Sequence, residues 1–487
     1  MLFLGLLLPG QPAAQAPDER EAQAERMLRI GLDFLAEKNY PQATRELAAI
    51  AERYKNTAAA PVACLRLAEY YFEVERDLED TSRYLDQLTK EHATSRAAAM
   101  GYVLAGRLML LRSGQKGLGD ALGEYRRAQE YYAHHPEVAA AKYYEGEALT
   151  YGGRIPEALA AYRQVGLSYP GTPWAARAWL GQARCLVALG HGAQALDVLQ
   201  RVRDGFPGTP EALTASAWNA IVYRLYLRAA PPFRFAGRVI PALPLKLRDV
   251  DAVAVGPDAV VYAAGGAGLA TYEGATGKPR PGAPGPSLRA LAVDGAAIVL
   301  AQKGALTPAG GRTLLLKHRK GTEAEKPLED ITAVVRTSRG DFVVADRGQR
   351  AIFRFSPTGT LQQRIDSTGT DRLAIDSRDR VAALDGEAGT VVLYSEEGKV
   401  LDRVKTTPAT QKLVDLAFDA MGHLYLLDRK GGAVWVYAPG NLSAPLVSFT
   451  VPDRQPGTFR RAGAFGLDAA GRLYVYDAGA ERIQVYQ

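Results

Sequence analysis

The sequence predicts a multidomain chain of the α plus all-β class: an N-terminal α-solenoid of helical repeats, then a C-terminal closed ring of small sheets. Three observations lead there. A Pro/Gly/Thr break recurs at a fixed step through the first half. Apolar stripes of helical period fill the intervals. From about residue 230 the pattern turns into short alternating runs that repeat six times.

Composition bounds the reading. The chain has 487 residues, 47% apolar and 23% charged, which suits folded domains with large cores and excludes a mainly disordered, collagenous or polytopic membrane protein. Two cysteines, Cys64 and Cys185, are too few for a disulfide framework or a cysteine-rich metal site. Residues 1–229 carry 26 Lys and Arg against 26 Asp and Glu, and the rest carry 33 against 27. No basic run interleaved with aromatic residues occurs, so nucleic acid is not an expected partner.

The first element is a short apolar run, Leu2–Leu8, broken by Pro9 and Gly10 and followed by the small-x-small triplet Ala14-Gln15-Ala16. This pattern predicts a signal peptide over residues 1–16, cleaved near Ala16, and places the mature chain in the periplasm or outside the cell. No other stretch is long and apolar enough to cross a bilayer, so no transmembrane helix is expected in the mature chain.

Residues 17–229 follow as a helical repeat domain. Ser168-Tyr-Pro-Gly-Thr-Pro173 and Gly205-Phe-Pro-Gly-Thr-Pro210 mark one rung, with Thr172 and Thr209 37 residues apart; Thr57 and Thr94 keep the same step, and His135-Pro136 supplies the rung between. Ala176–Pro207 is the clearest unit. Trp179, Ala183 and Leu186 lie on one face of its first helix, Gly190-His191-Gly192 turns the chain, and Ala195, Leu199 and Val202 lie on the second helix. Ala139–Pro170 and Ala24–Lys55 repeat the scheme, with Gly146 and Gly31 at the close-approach position. Helices pack about 8–10 Å apart only where small residues face the partner. A second unit near 61–92 is degenerate, a third near 98–136 carries an insertion at Ser113–Gly119, and Leu213–Arg228 reads as a closing helix.

This pattern resembles the tetratricopeptide repeat (TPR) family, in the bacterial envelope type of Tol-Pal-associated and outer-membrane-assembly proteins. The resemblance implies a curved solenoid whose concave side holds a protein or peptide. On it, Leu28, Leu32, Leu65, Glu69, Phe72, Tyr143, Glu147, Tyr151, Leu180 and Arg184 would line the groove, with inter-repeat packing as the alternative role for the tyrosines. Cys64 and Cys185, on first helices of different units, read as small buried apolar residues.

Pro231-Pro232 ends the helical zone, and residues 230–248 read as linker and closing strand. Residues 249–487 then hold six strand units. Val414–Asp428 with Gly432–Tyr437, and Phe465–Asp477 with Arg482–Tyr486, are the best formed; Ile331–Phe355 and Leu373–Tyr394 are weaker copies; Val253–Tyr272 and Leu291–Leu316 lack the Asp after the second strand. Six units of about 40 residues have the spacing of propeller blades. The run of inner strand, Asp-x-x-Gly, second strand, Asp and third strand resembles the NHL repeat, which implies a six-bladed β-propeller. The recurring Asp is expected to accept backbone N–H groups in the following loop. The last unit shows three strands, so a fourth is expected from Phe233–Leu247, which would close the ring and remove an open edge.

Motifs for chemistry are absent from the sequence. The histidines form no His-Glu-x-x-His pattern, and no Gly-x-Ser-x-Gly elbow or Walker loop occurs. The inner-strand starts offer Asp251, Arg289, Asp330, Asp371, Arg372 and Asp415 at the channel mouth. These residues could bind a polar ligand or neutralise one another, and they make no Glu/Asn/His set for a metal. The expectation is an exported scaffold without catalytic residues, metal or cofactor, whose partners are proteins or peptides, among them envelope proteins, or cell-wall polymer. The alternatives are a metal-dependent propeller hydrolase or lyase recruited by the repeats, and a glycan or peptidoglycan sensor.

Overall fold

A computed structural model describes residues 17–229, 231–241, 250–256, 259–280, 287–294, 297–318, 325–367, 369–404, 412–450, 458–459 and 461–487. The signal segment 1–16 lies outside the described residues, as do 242–249 of the linker. The chain forms two compact units, Met1–Ala148 and Leu149–Gln487.

Helices α1 (Pro17–Ala36), α2 (Tyr40–Arg53), α3 (Ala59–Tyr70), α4 (Leu78–Glu91), α5 (Arg96–Ser113) and α6 (Leu118–Tyr131) belong to the first unit, and α7 (Val138–Tyr151) runs across the boundary. Two of these starts carry a side-chain cap. Asp77 accepts the N–H groups of Glu79 and Asp80, and Ser95 accepts that of Ala98. The small residues act as the sequence requires. A Cβ on Gly31 would stand 3.0 Å from Leu47, and one on Gly106 would stand 2.5 Å from the Tyr125 ring. The insertion after α5 is one tight turn, Gly114–Gly117, opened by Gly114 at φ 56°.

The second unit holds α8 (Ile155–Ser168), α9 (Pro173–Ala188), α10 (Gly192–Gly205) and α11 (Pro210–Val222). The Pro-Gly-Thr-Pro breaks now have a mechanism. Gly171 and Gly208 take φ of 76° and 79°, Thr172 and Thr209 cap the N–H groups of Ala175 and Ala212 at 3.2 Å, and Pro173 and Pro210 open the helices. Cys64 and Cys185 are both buried and in no disulfide, and burial pushes the Cys64 thiol up to about 12.

Beyond α11 lies a six-bladed β-propeller. Its innermost strands are Val250–Val255, Ala290–Asp294, Ile331–Arg336, Arg372–Ile375, Leu413–Phe418 and Ala462–Leu467, and each packs beside the next, with the last beside the first. Blades two to five are four-stranded meanders; blade one shows three strands among the described residues. The sixth blade draws its fourth strand from Phe235–Pro241, which pairs antiparallel with Arg482–Tyr486 and so joins the start of the domain to its end. Ile240 at that seam is fully buried opposite Ile483.

The recurring aspartates bond as expected. Asp346 accepts N–H groups from Glu329, Asp330 and Gln349; Asp385 from Glu387 and Ala388; Asp428 from Lys412, Lys430 and Gly431; Asp477 from Arg461 and Gly479. Each pins the loop after its strand. A second aspartate closes the inner hairpin: Asp376, Asp419 and Asp468 each accept the N–H groups two and four residues on.

The sequence divides the chain at the helix–sheet junction, whereas the second compact unit takes α8–α11 together with the propeller. Buried polar contacts tie them. Arg224 donates to the carbonyls of Gly471 at 2.8 Å and Ala470 at 3.2 Å, and its guanidinium lies 4.9 Å from the Phe233 ring. The Tyr226 hydroxyl meets Nε2 of His423 at 3.0 Å. At the far end, Tyr151 donates to the Glu396 carboxylate.

Candidate functional site

The axial channel of the propeller has a volume of about 330 Å³. Each inner strand pairs on one side only, so six free strand edges face the axis. Twenty-five residues line the channel, and the polar side chains among them are Asp251, Thr332, Arg336, Arg372 and Asp415; the rest are Ala, Val, Leu, Ile, Phe and Gly.

Of the six residues expected at the mouth, Asp251, Arg372 and Asp415 line the channel. Arg289, Asp330 and Asp371 are not among the lining residues; each sits one residue before its strand begins. The Asp371 carboxylate pairs with Arg347 at 2.8 Å and accepts Gly386 N–H at 2.9 Å. The Asp330 N–H donates to Asp346, and Arg289 is exposed.

Arg372 reaches farthest. Its Nη2 donates to the Asp251 carbonyl at 3.0 Å. Asp251 is on blade one and Arg372 on blade four, opposite each other in a ring of six, so the side chain bridges the channel. Its Nη1 donates to the Asp371 carbonyl at 3.0 Å, and its Nε lies 3.8 Å from Asp415 Oδ1. Asp415 is buried and binds the Phe465 and Leu416 N–H groups, both at 2.9 Å, which clips blade five to blade six. Burial outweighs the Arg372 charge and those N–H groups, raising the Asp415 carboxyl to about 6.

The groove set divides by side-chain role. Leu65, Phe72 and Leu180 are buried, so they pack within their units and do not form an open lining. Leu28, Leu32, Glu69, Tyr143, Glu147 and Arg184 are half-buried. Glu69 pairs with Arg66 at 2.6 Å, and Arg184 lies 5.8 Å from the Trp218 ring. Tyr151 is drawn into packing against Glu396, and burial and that hydrogen bond hold its hydroxyl well above the usual phenol range.

Two groups escaped the sequence reading. In the first unit, Arg107 lies over the rings of Phe72 (4.7 Å) and Tyr144 (5.0 Å) and pairs with Glu73 at 2.7 Å. In the second unit, Asp419 binds His423 Nδ1 at 2.9 Å and the Tyr425 hydroxyl at 3.1 Å, continuing through His423 to Tyr226. A usable signal for the second was the i,i+4 spacing of Asp376–Arg380, Asp419–His423 and Asp468–Arg472. Among the described residues no cluster of three or more His, Cys, Asp or Glu could hold a metal ion, and no helix is long and apolar enough to cross a membrane.

No family model and no curated protein matches the chain. Solved structures are similar to part of it. A streptogramin B lyase matches at 10% identity over 50% of this chain and 81% of its own, with a TM-score of 0.37. A catalytically inactive virginiamycin B lyase from Staphylococcus aureus, with quinupristin, matches at 14% over 52% and 85%, TM-score 0.37. A mitotic checkpoint complex chain matches at 12% over 51% and 93%, TM-score 0.37.

Proposed function

We propose that this protein is an exported, non-catalytic scaffold of the bacterial cell envelope. A helical array of the TPR kind holds one protein or peptide partner, and an NHL-like propeller presents a second surface. The supporting observation is where the carboxylates go. Asp346, Asp376, Asp385, Asp419, Asp428, Asp468 and Asp477 are each spent on backbone N–H groups that hold blades and turns in place. Carboxylates so committed rigidify a surface; a reaction needs them free to change protonation. On the first unit, half-buried Arg107, Tyr143, Tyr144 and Glu147 combine aromatic area with fixed charge, the composition of binding anchors.

Affinity capture from envelope extract tests this reading. The wild-type chain is expected to retain an envelope protein, and Arg107→Ala combined with Tyr143→Ala is expected to release it. Recovery of nucleic acid or cytosolic proteins alone contradicts the proposal.

A further inference from the structure

The mouth of the channel holds a stretched pair of opposite charges. Arg372 and Asp415 face each other at 3.8 Å, beyond hydrogen-bonding distance, and Arg372 Nε is buried with no hydrogen-bond partner among the described residues. Each Asp415 oxygen accepts one backbone N–H and retains a second acceptor direction. Behind the pair, the walls carry Ala252, Ala254, Ala292, Phe418 and Leu467, and the volume of about 330 Å³ lies at the small end of the about 300–1,000 Å³ of ligand sites.

We propose that the axial channel binds a free amino acid with an apolar side chain: its carboxylate on Arg372, its ammonium on Asp415, and its side chain among the alanines and Phe418. The Arg372–Asp415 pair favours this class, and the other two charged side chains of the lining, Asp251 and Arg336, cancel in formal charge. A simple anion meets Arg372 but is opposed by Asp415, and a simple cation meets Asp415 but is opposed by Arg372. A zwitterion carries both charges one carbon apart and satisfies the two side chains together without adding net charge to a partly desolvated site. Arg372 exchanges its hydrogen bond to the Asp251 carbonyl for the ligand carboxylate, so the bar across the channel becomes the clamp. This site is independent of the scaffold reading, which concerns macromolecular partners.

Calorimetric titration of the full chain with leucine tests the proposal. Saturable binding is expected, with glycine at least tenfold weaker because it leaves the apolar walls unfilled. The analogue 4-methylpentanoate lacks the ammonium and 3-methylbutylamine lacks the carboxylate, and each is expected to lose at least tenfold. These comparisons use the wild-type chain, so no variant has to fold for the test to count. Arg372→Gln is expected to abolish leucine binding while still melting in one cooperative transition, at a lower temperature. No saturable heat at millimolar leucine, equal binding of glycine, equal binding of either analogue, or unchanged binding by a folded Arg372→Gln overturns the proposal.

Discussion

Asp415→Asn makes the buried carboxylate measurable through pH. Asp415 ionises at about 6 in the folded protein against 3.8 for the free side chain. At 1.36 kcal/mol per pKa unit, that difference is worth about 3 kcal/mol. The sign follows from proton binding. The folded state holds the proton more tightly, so this contribution to stability is fully present below about pH 4 and is lost as pH rises to about 6. Asparagine does not titrate and lacks this slope. It also cannot accept both backbone N–H groups with its single carbonyl oxygen, which adds a pH-independent cost of about 1–3 kcal/mol. Guanidinium unfolding of both chains from pH 4 to pH 8, followed by far-ultraviolet circular dichroism, reads the difference. The variant should gain about 2.5 kcal/mol on the wild type across that range, mostly below pH 7. Parallel curves would refute the assignment of Asp415 as a carboxylate whose charge is costly where it sits.

Other substitutions follow from the packing. Gly106→Ala puts a Cβ 2.5 Å from the Tyr125 ring and should lower stability by about 1–3 kcal/mol in thermal unfolding, whereas Gly119→Ala on α6, with open space around it, should raise stability by up to about 1 kcal/mol. Thr209→Ala removes the hydroxyl that caps α11 and should cost about 1 kcal/mol, with Thr209→Ser restoring it, as read by denaturant midpoints. Ile240→Ala at the closing strand should cost about 2–5 kcal/mol and speed proteolysis between the first and last blades. Tyr226→Phe leaves His423 Nε2 without its partner and should cost about 1–3 kcal/mol.

Much of the architecture was legible because repetition multiplies weak local signals. One Pro-Gly-Thr-Pro break is only a turn; two of them 37 residues apart, each with a Thr cap and a Pro at the helix start, set a period. The closing strand was legible from a deficit, since a last blade ending at Tyr486 with three strands needs a fourth from elsewhere. The channel residues were read from the strand starts. Asp251, Arg372 and Asp415 could be placed at strand starts, but a one-residue offset puts Arg289, Asp330 and Asp371 outside the lining. A period of two cannot resolve such an offset until the strand begins. Nothing in the sequence marked Arg372 as the residue that spans the channel, because its partner carbonyl lies 121 residues away on the opposite blade. Arg224 and Tyr226 were hidden for a related reason: a closing helix predicts an apolar face, and the partners of these side chains are in loops of blades five and six.

Hydrogen–deuterium exchange of the full chain, with and without the captured partner, addresses the scaffold account most directly. Protection should concentrate on the helices bearing Arg107, Tyr143 and Glu147 and on exposed propeller loops, while the buried Asp-pinned turns exchange slowly in both states. Protection confined to the channel walls, with product appearing from an added substrate, would contradict it.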